Sequence, residues 1–322
     1  MKTRRLGRTG IEVSEIGFGA WGLGATMWRG VADEDALGAI RAAVGAGVTF
    51  IDTALVYGDG HSEQLIAKAR TNAVVATKVP PLDGAWPAAA ASKIADVFPA
   101  KHVRASTETS LRNLGSDAIA LQQLHVWHDA WLDQPAWATT RREMEKLVAE
   151  GKVLHWGISI NDHAPETALL ALGDPLFETA QVIYNIFDRS PEKDLFALAR
   201  EKNIGIIVRV PFDEGTLTGA IRPDTQFPEE DWRHRYFRGD RPAEAARRAD
   251  ALIPLLGDQA RTLPELALRF VLTRPEVSTV IPGMRTAAHA RANAAVSDGR
   301  LLDSALDEKL KGHAWSKNWY RD

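Results

Sequence analysis

The chain has 322 residues, of which 45% are hydrophobic, and its 39 basic and 42 acidic residues give a formal net charge of −3. A near-neutral chain without a basic tail is not typical of a protein that binds nucleic acid. The chain contains no cysteine, which excludes disulfides, zinc–cysteine sites, iron–sulfur clusters and thiol nucleophiles.

The sequence shows no segment typical of membrane insertion. No apolar run approaches the ~20 residues that cross a bilayer. The basic start, MKTRRLGRTGIEV, is not followed by the apolar stretch of a secretory signal. We therefore expect a cytoplasmic protein with no membrane or nucleic-acid partner, and both a monomer and a homo-oligomer remain open.

Short apolar runs alternate with segments of helix length along the chain. The predicted strands are Ile16–Ala20, Val48–Asp52, Ala73–Lys78, Ile119–His125, Leu154–Ser159, Thr179–Tyr184, Ile204–Val210 and Ser278–Pro282. The predicted helices are Asp33–Ala46, Ser62–Ala69, Lys101–Leu114, Pro135–Glu150, Pro165–Leu172, Glu192–Lys202, Ala243–Leu256, Leu263–Thr273, Thr286–Val296 and Ser304–His313. This alternation favours an α/β fold with one domain over residues 1–322, a (β/α)8 TIM barrel, over an open doubly wound sheet.

Three features lie outside the regular alternation. Arg4–Leu6 and Val13–Glu15 flank a turn at residues 8–10 and predict an N-terminal β-hairpin. Two long connections, Pro80–Pro99 and Pro211–Pro242, follow the third and seventh predicted strands. Loops of this length in a compact domain are usually functional or disordered. On a barrel, both connections would also begin at the rim where active sites lie.

Polar side chains stand at the ends of three consecutive predicted strands. Asp52, Lys78 and His125 end the second, third and fourth strands, and Tyr57 follows Asp52 on the connecting loop. Each alone has an ordinary structural explanation, but four at one rim favour proton delivery to a carbonyl oxygen. A lysine ammonium beside a tyrosine lowers a phenol pKa that is ~10 when unperturbed. Asp52 would anchor Lys78, and His125 would orient the carbonyl.

Other reaction classes find less support in the sequence. No nucleophile–base–orienter triad for acyl transfer is visible. No H-x-H pair occurs, which a metal-dependent barrel hydrolase would need on its first strand. We therefore expect no catalytic metal.

Six segments of the chain, in order, resemble the aldo-keto reductases. They are FIDTALVYGDGHSEQLIAKA at 50–69, ATK ending at Lys78, LQQLHVWHD at 121–129, GKVLHWGISIND at 151–162, QVIYNIFD at 181–188 and STVIPGMRTAAHARAN at 278–293. The resemblance extends from Leu6 to about Leu310. It implies a barrel that binds NADPH without a Rossmann glycine motif, and no G-x-G-x-x-G follows an early strand here.

The resemblance also implies an activity, the reversible NADPH-dependent reduction of an aldehyde or ketone to an alcohol. In that reaction Tyr57 is the general acid for carbonyl reduction and the general base for alcohol oxidation. Asp52 and Lys78 tune the acidity of Tyr57, and His125 orients the substrate. The nicotinamide carries the hydride. Two alternatives stay open: a cofactor-binding regulatory subunit of the same fold with little turnover, and an isomerase or dehydratase that transfers no hydride.

Cofactor contacts carry over from the family by position. Ser159 and Gln181 match the residues that hold the nicotinamide carboxamide, with Asn161 one position later than the usual asparagine. Arg209 stands where many members place an aromatic that stacks on the nicotinamide, which a guanidinium plane can also do. The segment over the pyrophosphate carries Pro211, Phe212, Gly215 and Leu217.

The adenosine end is implied by the last motif. Its predicted contacts are Gly283, Met284, Arg285, His289 and Asn293. Arg285 offers a charge-assisted partner to a 2′-phosphate. His289 and Ala292 replace residues common in relatives, so we expect NADPH to be preferred, with NADH less favoured.

The small-molecule carbonyl or alcohol substrate is expected among tryptophans of the rim loops. Trp21, Trp28 and Trp127 are the predicted contacts. An aromatic pocket fits an apolar or aromatic carbonyl better than a free sugar. Alternatively, Arg29 or Arg209 would hold a carboxylate or phosphate.

Overall fold

The computed structural model describes residues 1–24 and 31–320, and its centre is a sheet of eight parallel strands. The strands are β1 (Thr3–Arg5), β2 (Glu12–Ser14), β3 (Phe18–Gly19), β4 (Phe50–Asp52), β5 (Val74–Val79), β6 (Ile119–Leu124), β7 (Val153–Ser159), β8 (Phe177–Ile183), β9 (Gly205–Arg209) and β10 (Val277–Val280). Strands β3–β10 pair in chain order. Parallel bridges from Ile16 to Val280 and from Gly19 to Gly283 join the first of them to the last. The predicted (β/α)8 barrel is confirmed.

Helices connect the strands and cover the outside of the sheet. They are α1 (Asp33–Gly45), α2 (His61–Ala69), α3 (Ile94–Val97), α4 (Ala100–Leu114), α5 (Trp137–Ala149), α6 (Leu195–Lys202), α7 (Trp232–Tyr236), α8 (Arg241–Asp250), α9 (Leu263–Leu272), α10 (Ala287–Ala294) and α11 (Ser304–Lys311). Helix α1 shows why such segments fold here. Three acidic residues stand in its first turn, where the helix dipole favours negative charge. Ala36, Ala39, Ile40 and Ala43 are buried.

Two predicted helices are interrupted. The helix predicted over residues 165–172 is replaced by two 3₁₀ segments, Pro165–Ala168 and Ala171–Gly173. Pro165, Ala168 and Ala171 are buried at a spacing of three, which suits 3₁₀ geometry. The helix predicted over residues 243–256 ends as α8 at Asp250. Pro254 explains that end, because a proline cannot continue the α-helical hydrogen bonds and restricts the residue before it.

The N-terminal hairpin is confirmed and closes the bottom of the barrel. Strands β1 and β2 pair antiparallel, one residue before the predicted position. Leu6 and Val13 are fully buried and pack with Phe50 and Leu121 at the amino ends of the strands. Gly7 has a φ of 53°, and a Cβ there would lie 2.1 Å from the Gly205 nitrogen. The hairpin leaves the carboxyl rim as the open end.

Both long connections begin at that rim, as predicted. The one after β5 contains α3, and the one after β9 contains a 3₁₀ segment, Asp213–Thr218, followed by α7. Within the described ranges, no helix combines the length and the apolar character needed to span a membrane.

Candidate active site

A buried ion pair joins the ends of two neighbouring strands. Lys78 Nζ on β5 donates to Asp52 Oδ1 on β4 at 2.5 Å and to the Thr53 carbonyl oxygen at 2.7 Å. Asp52 is 2% exposed and Lys78 is 0% exposed. Because each charge is neutralised by the other, the pair forms a polar base, the floor of the site, at the carboxyl ends of the two strands.

Two glutamine amides complete the surroundings of the Asp52 carboxylate. Gln181 Nε2 donates to Asp52 Oδ2 at 2.7 Å and Gln123 Nε2 donates to it at 3.2 Å. Gln123 was not among the predicted site residues. Its position two residues before His125 was the available signal, because alternate residues of a strand share a face. The network fixes Gln181 beside the ion pair.

Tyr57 and His125 stand above this floor. Lys78 Nζ lies 5.2 Å from the centre of the Tyr57 ring, and the Tyr57 and His125 rings meet edge-on with centroids 5.8 Å apart. Gly58 permits the turn after Tyr57, since its φ is 68° and a Cβ there would lie 2.1 Å from the Gly24 oxygen. Unlike the ion pair, both rings keep part of their surface exposed. The structure thus brings together the four residues predicted for catalysis.

The electrostatics keep Tyr57 and His125 neutral. Burial raises the pKa of Tyr57 above its ordinary value, Asp52 raises it further, and Arg209 acts in the opposite direction. This direction differs from the one predicted from sequence, because burial, the largest cause, raises the pKa. Burial, assisted by Lys78 and Arg209, holds the pKa of His125 well below its usual range. The site therefore presents a phenol and a neutral imidazole, both hydrogen-bond donors.

Arg209 lies at the end of β9 in an ion pair. Its Nη2 donates to Asp162 Oδ1 at 2.7 Å and to the Ile160 carbonyl oxygen at 3.0 Å. Its Nε is buried and has no hydrogen-bond partner among the described residues. The guanidinium is close enough to depress the pKa of both Tyr57 and His125. Arg209 thus adds positive charge to the site, and its stacking on a nicotinamide stays a prediction.

Ser159 and Asn161 have different neighbours and hydrogen bonds in the structure. Ser159 ends β7 and pairs in register with Gln181 on β8, so the two predicted carboxamide contacts are neighbours. The Asn161 amide accepts from Ala88 N at 3.0 Å and donates to the carbonyl oxygens of Ala88 and Trp127 at 3.1 and 2.9 Å. Because both amide hydrogens are used, Asn161 fastens the loop after β5 to the loop after β6.

The C-terminal tail holds the segment that follows β9. Lys317 Nζ donates to both oxygens of Asp213, at 2.6 and 2.8 Å, and the Tyr320 hydroxyl donates to Glu214. Burial raises the pKa of Glu214 to about 7. Asp213, Glu214 and Gly215 all have positive φ, at 48°, 56° and 106°. A strained turn is thus fixed by a buried ion pair and a second contact.

The other predicted residues of this segment lie beside the turn. Pro211 and Leu217 are buried, whereas Phe212 and Gly215 keep part of their surface exposed. The backbone N–H groups of Gly215 and Leu217 both donate to the Phe212 carbonyl oxygen at 3.0 Å. The segment is therefore a compact turn at the rim.

A recess in the surface lies where α1 and α10 begin. It has a volume of about 160 Å³ and is lined by Val31, Asp35, Arg285, Thr286 and His289. Thr286 Oγ1 caps α10 by accepting from His289 N at 3.2 Å. The predicted adenosine contacts Arg285 and His289 therefore share one recess.

The remaining predicted adenosine contacts differ in exposure. Gly283 is exposed, Met284 is fully buried and Asn293 is 7% exposed.

Aromatic rings surround Tyr57 and His125. Trp21 lies 6.5 Å from Tyr57 between ring centroids and meets Trp232 of α7 edge-on at 5.1 Å. Trp86, in the loop after β5, meets His125 edge-on at 4.9 Å and is 43% exposed. Trp86 and Trp232 were not predicted as substrate contacts, although both stand in the long connections.

One of the other two tryptophans predicted as substrate contacts, Trp127, is not brought to this site. Trp127 is 0% exposed and packs edge-on against Trp131, Trp137 and Phe177. The chain leaves β6 after Leu124, so strand alternation no longer sets the direction of the Trp127 side chain. Trp28 lies outside the described residues.

Comparisons with known proteins agree with this architecture. The profile of the Aldo/keto reductase family matches residues 15–309. Aldo-keto reductase YhdN of Bacillus subtilis is 30% identical over 299 residues, which cover 88% of this chain and 85% of that protein. An NADH-specific methylglyoxal reductase of Escherichia coli is 27% identical, with 94% of this chain and 96% of that protein covered.

A solved structure shows the same likeness in three dimensions. The aldo-keto reductase of Klebsiella pneumoniae in complex with NADPH superposes with a TM-score of 0.71 and 26% identity. The match covers 99% of this chain and 97% of that one.

Proposed function

The chain belongs to the aldo/keto reductase family and is an oxidoreductase, and from this premise we propose that it reduces an aldehyde or ketone to an alcohol, reversibly, with NADPH. The observation that carries the proposal is the pairing of a protonated Tyr57 with a neutral His125 above the buried Asp52–Lys78 ion pair. Two donors at one exposed position suit a carbonyl oxygen, which gains negative charge as it is reduced.

The residues present fit a nicotinamide cofactor at both ends. Ser159 and Gln181 offer a hydroxyl and an amide next to the ion pair, the donor and acceptor types that a carboxamide needs. Arg285 offers a guanidinium in the recess where α10 begins, which suits a phosphate. When bound, the nicotinamide supplies the hydride. The NADPH complex of the Klebsiella relative supports the same assignment.

Each catalytic side chain has a defined task in this proposal. Tyr57 gives its proton to the carbonyl oxygen in reduction and takes it back in oxidation. His125 donates a hydrogen bond to the same oxygen and orients it. Asp52 and Lys78 form the base of the site as a buried ion pair, and the Asp52 charge helps to keep the proton on the Tyr57 phenol. Gln123 and Gln181 keep the Asp52 carboxylate in place.

The aromatic walls support an apolar or aromatic carbonyl as the substrate class. Trp21, Trp86 and Trp232 lie around Tyr57 and His125. Arg209 already has Asp162 as its partner, which reduces the support for a carboxylate or phosphate substrate at that residue. The cytoplasmic location stays a prediction from the sequence.

Titration of the purified protein with NADPH and with NADH, followed by tryptophan fluorescence, tests the cofactor. A panel of aromatic and aliphatic carbonyls with bound NADPH then tests the reaction. We expect saturable binding and reduction of aromatic aldehydes. Binding without turnover would support the regulatory-subunit alternative, and turnover without a nicotinamide would support an isomerase or dehydratase. Binding of neither cofactor would overturn the proposal.

A further inference from the structure

The recess where α1 and α10 begin contains opposite charges. Arg285 and Asp35 both line it, together with Val31, Thr286 and His289, around a volume of about 160 Å³. The recess therefore has room for a polar group, and its walls offer both a cation and an anion.

Asp35 was not predicted as a cofactor contact, because it lies in the first turn of α1, far along the chain from the motif of Arg285. The neighbouring acidic residues differ from it. Asp33 Oδ1 is hydrogen-bonded to His61 Nε2 at 2.9 Å, and Glu34, which is exposed like Asp35, does not line the recess. Asp35 is thus the acid of this turn that faces the recess.

Burial lowers the pKa of Arg285, and the nearby charge of Arg233 lowers it further while Asp231 opposes this. A guanidinium still stays protonated at neutral pH. The lining of the recess therefore includes a permanent cation and a carboxylate.

In other cofactor-binding proteins, a carboxylate and an arginine at the adenosine ribose recognise different cofactors. In Rossmann-fold enzymes a carboxylate accepts a hydrogen bond from the ribose 2′-hydroxyl of NAD, whereas an arginine accommodates the 2′-phosphate of NADP. A carboxylate near a bound 2′-phosphate also repels it. Arg285 and Asp35 therefore favour different cofactors at one position.

We propose that Asp35 is a specificity-determining residue that opposes the 2′-phosphate and keeps NADH competitive with NADPH. The proposal rests on the proposed function, because it places the adenosine of the cofactor in this recess. Asp35 would accept a hydrogen bond from the ribose hydroxyl of NADH. Arg285 would pair with the phosphate of NADPH.

Two adenosine nucleotides test the recess without the nicotinamide. Adenosine 2′,5′-bisphosphate carries the 2′-phosphate and adenosine 5′-monophosphate lacks it. Calorimetric titration of the full chain gives the dissociation constant of each. The test variant is Asp35→Asn, and Glu34→Gln is its matched control. The control removes one negative charge from the same helix turn, outside the recess.

We expect Asp35→Asn to bind the bisphosphate about three- to tenfold more tightly and the monophosphate about twofold more weakly, whereas Glu34→Gln changes both by less than about twofold. The ratio of NADPH to NADH affinity should shift in the same direction. Equal ratios in the two variants would overturn the inference alone. If neither nucleotide binds the unaltered protein, the proposed cofactor site and the inference both fail.

Discussion

The Lys78 ammonium lies 2.5 Å from Asp52 Oδ1, and neither residue is more than 2% exposed. Removal of one partner from a buried pair leaves an uncompensated charge, which costs about 3–5 kcal/mol. We expect Lys78→Met to lower the free energy of unfolding by that amount and Lys78→Met/Asp52→Asn to recover at least half. Guanidinium denaturation measures both. A loss of less than about 1 kcal/mol in the single variant would show that water reaches Asp52.

Tyr57→Phe tests the proton donor directly. General acid catalysis contributes about 10²–10⁴-fold, so we expect the kcat of carbonyl reduction to fall by that factor. The Kd for NADPH should change by less than about twofold. Tyr184→Phe is the control, because its hydroxyl bonds Glu192 and its ring packs on Phe270 of α9. Full activity in Tyr57→Phe would remove Tyr57 from the mechanism.

The raised pKa of Tyr57 predicts different pH profiles for the two directions. Carbonyl reduction needs the phenol, which persists beyond its ordinary pKa of ~10, so we expect no loss of kcat up to about pH 9. Alcohol oxidation needs the phenolate, so its kcat should rise about tenfold per pH unit over the same range. Steady-state kinetics in both directions provide the test. An oxidation rate that is level above pH 7 would contradict the raised pKa.

The barrel and the meeting of its candidate catalytic residues could be predicted because both depend on local pattern. Short apolar runs gave the eight strands, and parallel strands bring their carboxyl ends to one rim. Asp52, Lys78 and His125 therefore had to meet wherever the strands closed.

Other features depend on contacts between distant segments. Tyr320 meets Glu214 across 106 positions, and the tail that carries Tyr320 has no helical or strand periodicity. Asp35 reaches the recess of Arg285 only because α1 and α10 lie side by side. The direction of Trp127 is set by a loop, for which spacing gives no rule. Burial decides the Tyr57 pKa, and burial is a property of the whole fold.

The Lys317–Asp213 ion pair predicts that the tail controls cofactor release. The family resemblance implies that the segment that Asp213 begins lies over the cofactor. The Lys317 and Asp213 side chains are 5% and 2% exposed. We expect Lys317→Met to raise the dissociation rate of NADPH about tenfold, the equivalent of ~1.4 kcal/mol. Stopped-flow tryptophan fluorescence measures the rate.

Lys311→Met is the matched control for this prediction. Lys311 pairs with Glu308 on the exposed surface of α11, and both side chains are more than half exposed. Such surface pairs contribute about 0–1 kcal/mol, so its release rate should not change. Equal rates in the two lysine variants would show that the tail does not restrain the cofactor.

Glu214 predicts a pH-dependent stability. Burial raises its pKa to about 7 in the folded protein, against ~4.3 in an unfolded chain. Between these values the unfolded chain loses a proton that the folded protein keeps, so the free energy of unfolding falls as pH rises. Glu214→Gln removes this titration and should gain up to about 3 kcal/mol relative to the unaltered protein from pH 4.5 to 7. Denaturation at several pH values measures the difference. A difference independent of pH would mean that Glu214 titrates alike in both states.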